Sequence, residues 1–204
     1  MTYLNPSDAV AQQENLTCQI FDELRNKTFD GIGVTRASYG DGEQVARDIM
    51  AKTATQMGLI VEDDAAGNVY MTLKGEKTGA KPVIIGSHID SVAQGGNFDG
   101  AAGVVSGLIA CASLIESGIT PSCDIKVMGI RAEESAWFGV SYIGSRSALG
   151  TLPPDALQNA NRVDTGRTLG DHMRSAGCNP DALKEGNVFP VSYTHLTLPT
   201  NREV

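Results

Sequence analysis

Residues 86–100 read GSHIDSVAQGGNFDG, a histidine, two aspartates and four glycines packed into one stretch directly after the apolar run PVII. Such a loop can cradle a phosphate, hold a metal ion, or do neither. A phosphate cradle of the Walker type needs a lysine within a GxxxxGK[ST] arrangement. The segment GGNFDGAAG has no lysine and offers Asp99 instead, whose charge repels phosphate. Further on, GVSYIG (139–144) has some likeness to a nucleophile elbow, but its spacing is G-x-S-x-x-G and no strand leads into it. Ser141 is therefore read as a loop serine, and nothing ties His172 or His195 to it as a base.

A metal site accounts for more of the residues. His88 supplies an imidazole nitrogen, while Asp99 and Glu134 supply charged oxygens, a mixture suited to zinc or a similar divalent ion. In the triplet H-x-D, Asp90 is placed to orient His88 through the second ring nitrogen. Glu133 and Glu134 are adjacent, so their side chains point in different directions. One can ligate while the other takes a proton from a water polarised by the ion. Any one of these acids alone is ordinarily a solvated loop residue; their gathering makes the metal reading the better one.

That gathering depends on the elements around them. PVIIG has strand length, AAGVVSGLIACASLIESG (101–118) reads as a close-packing helix with a glycine stop, and CDIKVMGI (123–130) is a second apolar strand. Strand, helix and strand make a βαβ crossover with parallel strands, whose C-terminal ends share the edge where open α/β sheets bind ligands. His88 and Asp90 follow the first strand, Asp99 opens the helix, and Glu133 and Glu134 follow the second strand. Upstream, the first 27 residues predict one leading amphipathic helix through Ile20, Phe21 and Leu24. DGEQVARDIMAKTATQMG predicts another, with Asp41 as N-cap, Gly58 as stop, and Val45, Ile49, Met50, Ala54 and Met57 as its buried stripe. LIVEDDAAGNVYMTLKG predicts two strands around a turn at 63–68, and residues 168–176 a short helix. The fold class is α/β, a mostly parallel, mixed sheet flanked by helices.

Composition narrows the function classes. The 204 residues carry 16 basic and 24 acidic side chains, a net charge of −8, with no basic cluster to meet a nucleic-acid backbone or an anionic membrane. No apolar run approaches the roughly 20 residues that span a bilayer, and the N-terminus lacks the pattern of a secretory signal. The four cysteines are scattered, with no CxxC pair, and are expected to be mostly buried thiols of a reducing compartment, which with the leaderless N-terminus makes the cytoplasm the expected location.

GSHIDSVAQGGNFDGAAGV followed by AEESAWFGVSYIGSR strongly resembles the dinuclear zinc hydrolases of the aminoacylase and carboxypeptidase-like group. The pattern is similar to their N-carbamoyl-L-amino-acid hydrolase, allantoate amidohydrolase and β-ureidopropionase branch, over roughly residues 15–185. The resemblance implies a zinc-exopeptidase-like catalytic domain holding two divalent ions, zinc before manganese or cobalt. His88 would bind the first, Asp99 would bridge them, Glu134 would bind the second, Glu133 would act as general base and Asp90 would hold His88. The substrate would be a small molecule with a linear ureido or amide C–N bond. The alternatives are an aminoacylase or dipeptidase on the same metals, or a catalytically dead binding module.

Two departures accompany the resemblance. Many relatives read EEGxRF where this chain reads EESAWF, so Ser135 and Trp137 bear on the substrate. The HIEQGP-like segment, the inserted dimerisation and substrate domain and the late histidine are not in this sequence, which keeps three of the five ligands implied. Residues 1–190 are therefore read as the N-terminal part of a catalytic domain, incomplete at the C-terminus. VSYTHLTLPTNREV (191–204), including His195, is read as a non-native or disordered tail. The parent enzyme is expected to be a homodimer through the domain missing here, and the isolated chain to have little turnover.

Overall fold

The computed structural model describes residues 5–185, so the 191–204 segment and His195 lie outside the described residues. The elements run α1 (Pro6–Ala11), α2 (Glu14–Thr28), α3 (Asp41–Gln56), β1 (Ile60–Asp63), β2 (Val69–Leu73), β3 (Val83–His88), α4 (Ala101–Glu116), β4 (Ile125–Ile130), α5 (Ile143–Ala148), α6 (Ala156–Asn159) and α7 (Leu169–Ser175), ending in a 3-10 turn at Ala182–Glu185. The four strands form one mixed sheet in the order β1-β2-β4-β3. β1 and β2 are an antiparallel hairpin, β2 pairs antiparallel with β4, and β3 and β4 pair in parallel with His88 opposite Ile130. Among the described residues parallel pairing is confined to the β3–α4–β4 crossover, which is the unit predicted from the apolar periodicity.

Alternation along the strands separates two cores. Val69 and Met71 of β2 and Val127 of β4 face the main core, with Ile20 and Leu24 of α2, Ile49 and Met50 of α3, and Val104 and Leu108 of α4. Tyr70 and Met128, one residue out of phase, pack on the opposite face with Ala148 of α5. Removing this apolar surface from water is the principal stabilising term of the fold. α4 lies close against the sheet because its glycines allow it: a Cβ on Gly107 would sit 2.8 Å from Val127 Cγ1. A third cluster, Tyr39, Trp137, Phe138, Ile143, Leu157, Leu169 and Met173, fixes the C-terminal helices beyond the sheet.

Three expectations about the helices and one about the cysteines are corrected. The leading helix is two helices, α1 and α2, separated at Gln12–Gln13. α3 takes Gly40, not Asp41, at its cap position, with no side-chain cap bond, while Glu43 in its first turn accepts a hydrogen bond from the Tyr39 amide at 2.7 Å. In the predicted buried stripe of α3, Ile49, Met50 and Ala54 are buried, whereas Val45 and Met57 are only half-buried. The cysteines are all free, but Cys18 is exposed, Cys123 and Cys178 are half-buried, and only Cys111 is fully buried.

Candidate metal centre

β3 ends on His88, and its parallel neighbour β4 ends opposite it, so the chain leaving each strand starts at the same rim. His88 Nε2 lies 3.7 Å from Asp99 Oδ1 and 3.8 Å from Glu134 Oε1. One ligand atom from each of the three falls within 4.8 Å of the others, and all three residues are half-buried. Two anionic oxygens and one imidazole nitrogen are the donor set a divalent cation such as zinc takes. Side-chain rotation alone can close them around an ion, so the residues present fit the group that the sequence implied.

The ring of His88 is held from behind. Its Nδ1 is 3.0 Å from the Asp90 carbonyl oxygen and 3.4 Å from Asp90 Oδ1. The Asp90 carboxylate, with burial opposing it, pushes the imidazole pKa up to about 9. Gly100, with φ of +60°, passes against the same ring, and a Cβ there would press into His88 Nδ1 and Cε1. Glycine is needed on both counts, conformation and space.

Asp90 is wholly buried, and its carboxylate is used mainly elsewhere. Oδ1 accepts from the Glu133 amide, and Oδ2 accepts from the Glu134 amide and from Ser38 Oγ at 2.7 Å. The chain leaving β4 is therefore fixed by side chains rather than by secondary structure. Four consecutive amides donate to them: Arg131 to Asn68 Oδ1, Ala132 to Glu43 Oε1, Glu133 and Glu134 to Asp90. Ala132 takes a left-handed φ of +52° in this stretch.

The two glutamates diverge, as adjacency requires. Glu134 turns to His88, and Glu133 turns to the start of α5, accepting from the Ser145 amide at 2.6 Å and Ser145 Oγ at 3.0 Å. Burial raises the Glu133 carboxyl pKa against the pull of Ser145. Each of its oxygens retains a lone pair for a further donor.

Several participants were not singled out from the sequence. Arg36 is fully buried and donates from Nε to Ile89 O at 2.8 Å and from Nη2 to Asp99 O at 2.7 Å. Arg131 donates from Nε to Glu43 Oε2 at 2.7 Å, with its guanidinium 4.9 Å from the centre of the Tyr39 ring. Burial disfavours the Arg131 cation, but Glu43, with Tyr39 and Cys178, offsets this and the guanidinium pKa is raised. Ser141 lies in the turn before α5, and His172 is buried against Phe138 with Nε2 2.8 Å from Thr165 Oγ1, outside the rim. Trp137 is buried in the third cluster and donates from Nε1 to Ser91 O at 2.7 Å, so it packs rather than lining an open pocket.

Known proteins resemble this chain over much of its length. Residues 68–164, which span β2 to the segment after α6, match the model of Peptidase family M28. An N-carbamoyl-L-amino acid amidohydrolase of Geobacillus stearothermophilus is 40% identical over 153 residues, 75% of this chain and 37% of the relative. The chain is similar to amidohydrolases of the hydantoinase/carbamoylase family. A ureidoglycolate hydrolase of Oryza sativa subsp. japonica is 36% identical over 183 residues, 86% of this chain and 38% of the relative. The crystal structure of a hydantoinase/carbamoylase family amidase from Burkholderia ambifaria superposes with a TM-score of 0.75 at 29% identity, covering 92% of this chain and 43% of that one. The chain thus spans about two fifths of the length of the family members it matches. Among the described residues, no helix is long and apolar enough to cross a membrane.

Proposed function

We propose that the protein is part of a metal-dependent hydrolase of linear C–N bonds whose substrate is an N-carbamoyl-L-amino acid or a related ureido acid. The convergence of His88, Asp99 and Glu134 at the rim carries this reading, and the named activities of the relatives support the substrate class. His88, Asp99 and Glu134 would hold the metal, zinc being favoured over manganese or cobalt by the nitrogen and carboxylate donors. When bound, such ions supply Lewis acidity toward a carbonyl and lower the pKa of water. Asp90 holds the His88 ring, and Glu133 accepts a proton at its carboxylate and later delivers one to the leaving nitrogen. For an N-carbamoyl amino acid, one water is consumed and the products are the amino acid, carbon dioxide and ammonia.

The test is metal analysis of the chain beside His88→Ala and Asp99→Ala, with assays on N-carbamoyl, N-acetyl and dipeptide substrates. The chain is expected to retain metal that both variants lose, and to turn over below about 1 per second, since it spans only part of its relatives. Any ammonia is expected from the carbamoyl substrate alone. Equal metal in all three proteins would overturn the centre. Acetate or dipeptide cleavage in place of ammonia release would overturn the substrate class.

A further inference from the structure

Glu43 lies outside the ligand set, within α3, and is completely buried. Its Oε2 accepts from the Tyr39 amide and from Arg131 Nε, each at 2.7 Å, and its Oε1 accepts from the Ala132 amide at 2.8 Å. Three charge-assisted or amide donors on one carboxylate fix it firmly. Ala132 is the residue before Glu133, in a left-handed conformation that alanine does not adopt without support. The direction in which Glu133 and Glu134 leave β4 depends on that conformation.

The same carboxylate reaches the other side of the centre. Tyr39 follows Ser38, whose hydroxyl donates to Asp90 Oδ2, and Asp90 in turn receives the Glu133 and Glu134 amides. Glu43, Ala132, Glu133 and Glu134, Asp90, Ser38 and Tyr39 therefore close a ring of hydrogen bonds and covalent chain. His88, through Asp90, and Glu134 are both attached to this ring.

We propose that Glu43 is a positioning residue of the metal centre: by holding the Ala132 amide and the Arg131 guanidinium it sets Glu134 at ligand distance from His88. This rests on the metal reading above. Removing a partner that orients a metal ligand costs about 10- to 100-fold in affinity. The substitution Glu43→Gln leaves a single acceptor oxygen and turns an amide N–H toward a donor, so the ring cannot close as before.

The experiment is titration of the chain with Co²⁺, read by its visible absorption and by competition with a chromogenic chelator, for wild type, His88→Ala, Glu43→Gln, Glu43→Asp and the double variant Glu43→Gln/Ala132→Gly. We expect Glu43→Gln to weaken affinity about 10-fold or more and to alter the visible spectrum at saturating metal. Glycine in place of Ala132, which takes positive φ freely, is expected to restore part of both. A loss of thermal stability alone would leave the saturated spectrum unchanged. If Glu43→Gln fails to fold, Glu43→Asp, which keeps the charge toward Arg131 but withdraws the carboxylate by one methylene, is read the same way. Binding by wild type no tighter than by His88→Ala would overturn the metal reading and this role together. Wild-type affinity and spectrum in the folded Glu43 variants would overturn the role alone.

Discussion

Glu43 and Asp90 are both fully buried carboxylates, and they hold the same two stretches of chain. Glu43 takes the amides of Tyr39 and Ala132, and Asp90 takes the hydroxyl of Ser38 and the amides of Glu133 and Glu134. A buried carboxylate without donors is strongly unfavourable, so each fixes its partners as firmly as they stabilise it. The rim of the sheet is rigid because two such groups act on it side by side.

Gly100→Ala tests how closely the loop is fitted to His88. The added methyl meets the imidazole, and the left-handed φ disfavours any side chain. Metal affinity is expected to fall about 10-fold and stability by about 1–2 kcal/mol, the first measured by chelator competition and the second by urea unfolding.

Arg36→Met should be costly without touching a ligand. The guanidinium donates to the carbonyls of Ile89 and Asp99 inside the protein; methionine strips Ile89 O of this donor and leaves Asp99 O with the Ala101 amide. Loss of about 3 kcal/mol is expected, read as a lower urea midpoint with an unchanged slope.

His172 predicts a pH dependence. Burial, aided by Arg162 and Arg167 and opposed by Asp164 and Asp171, holds its pKa below 6.5. The unfolded chain then binds the proton more readily than the folded one. Stability is therefore complete above 6.5 and declines as pH falls from there toward the folded value. Urea midpoints across this window should show less acid loss in His172→Gln than in wild type.

Thiol labelling should follow exposure. Cys18 is exposed and should react first with a disulfide reagent, whereas Cys111 is buried, with its thiol pushed up to about 11. Peptide mapping after timed labelling is expected to show Cys111 modified only when the protein unfolds.

The parts of the centre differ in how far they can be read from sequence. His88, Asp99 and Glu134 are legible because metal-ligating types follow two apolar strands, and the crossover between parallel strands fixes which ends meet. Glu43, Arg36 and Arg131 are not, since each is a charged residue whose partner is distant in sequence; the Arg131–Glu43 bond spans 88 positions. One local sign existed for Glu43, which stands three residues beyond Gly40, where a capping carboxylate reaches back to the preceding amides. Nothing in the residue types marks the break between α1 and α2, because Gln12 and Gln13 are ordinary helix formers. The predicted N-cap at Asp41 failed because the helix starts one residue earlier, with the extended Gly40 at its cap position.

The four amides of Arg131 through Glu134 belong to no strand or helix, yet every one has a side-chain acceptor. Hydrogen–deuterium exchange should therefore not treat this segment as a loop. These amides open only when Asn68, Glu43 or Asp90 lets go, so their exchange should be as slow as that of β4 itself. By that measure the reactive end of the strand extends past the point where its ladder stops.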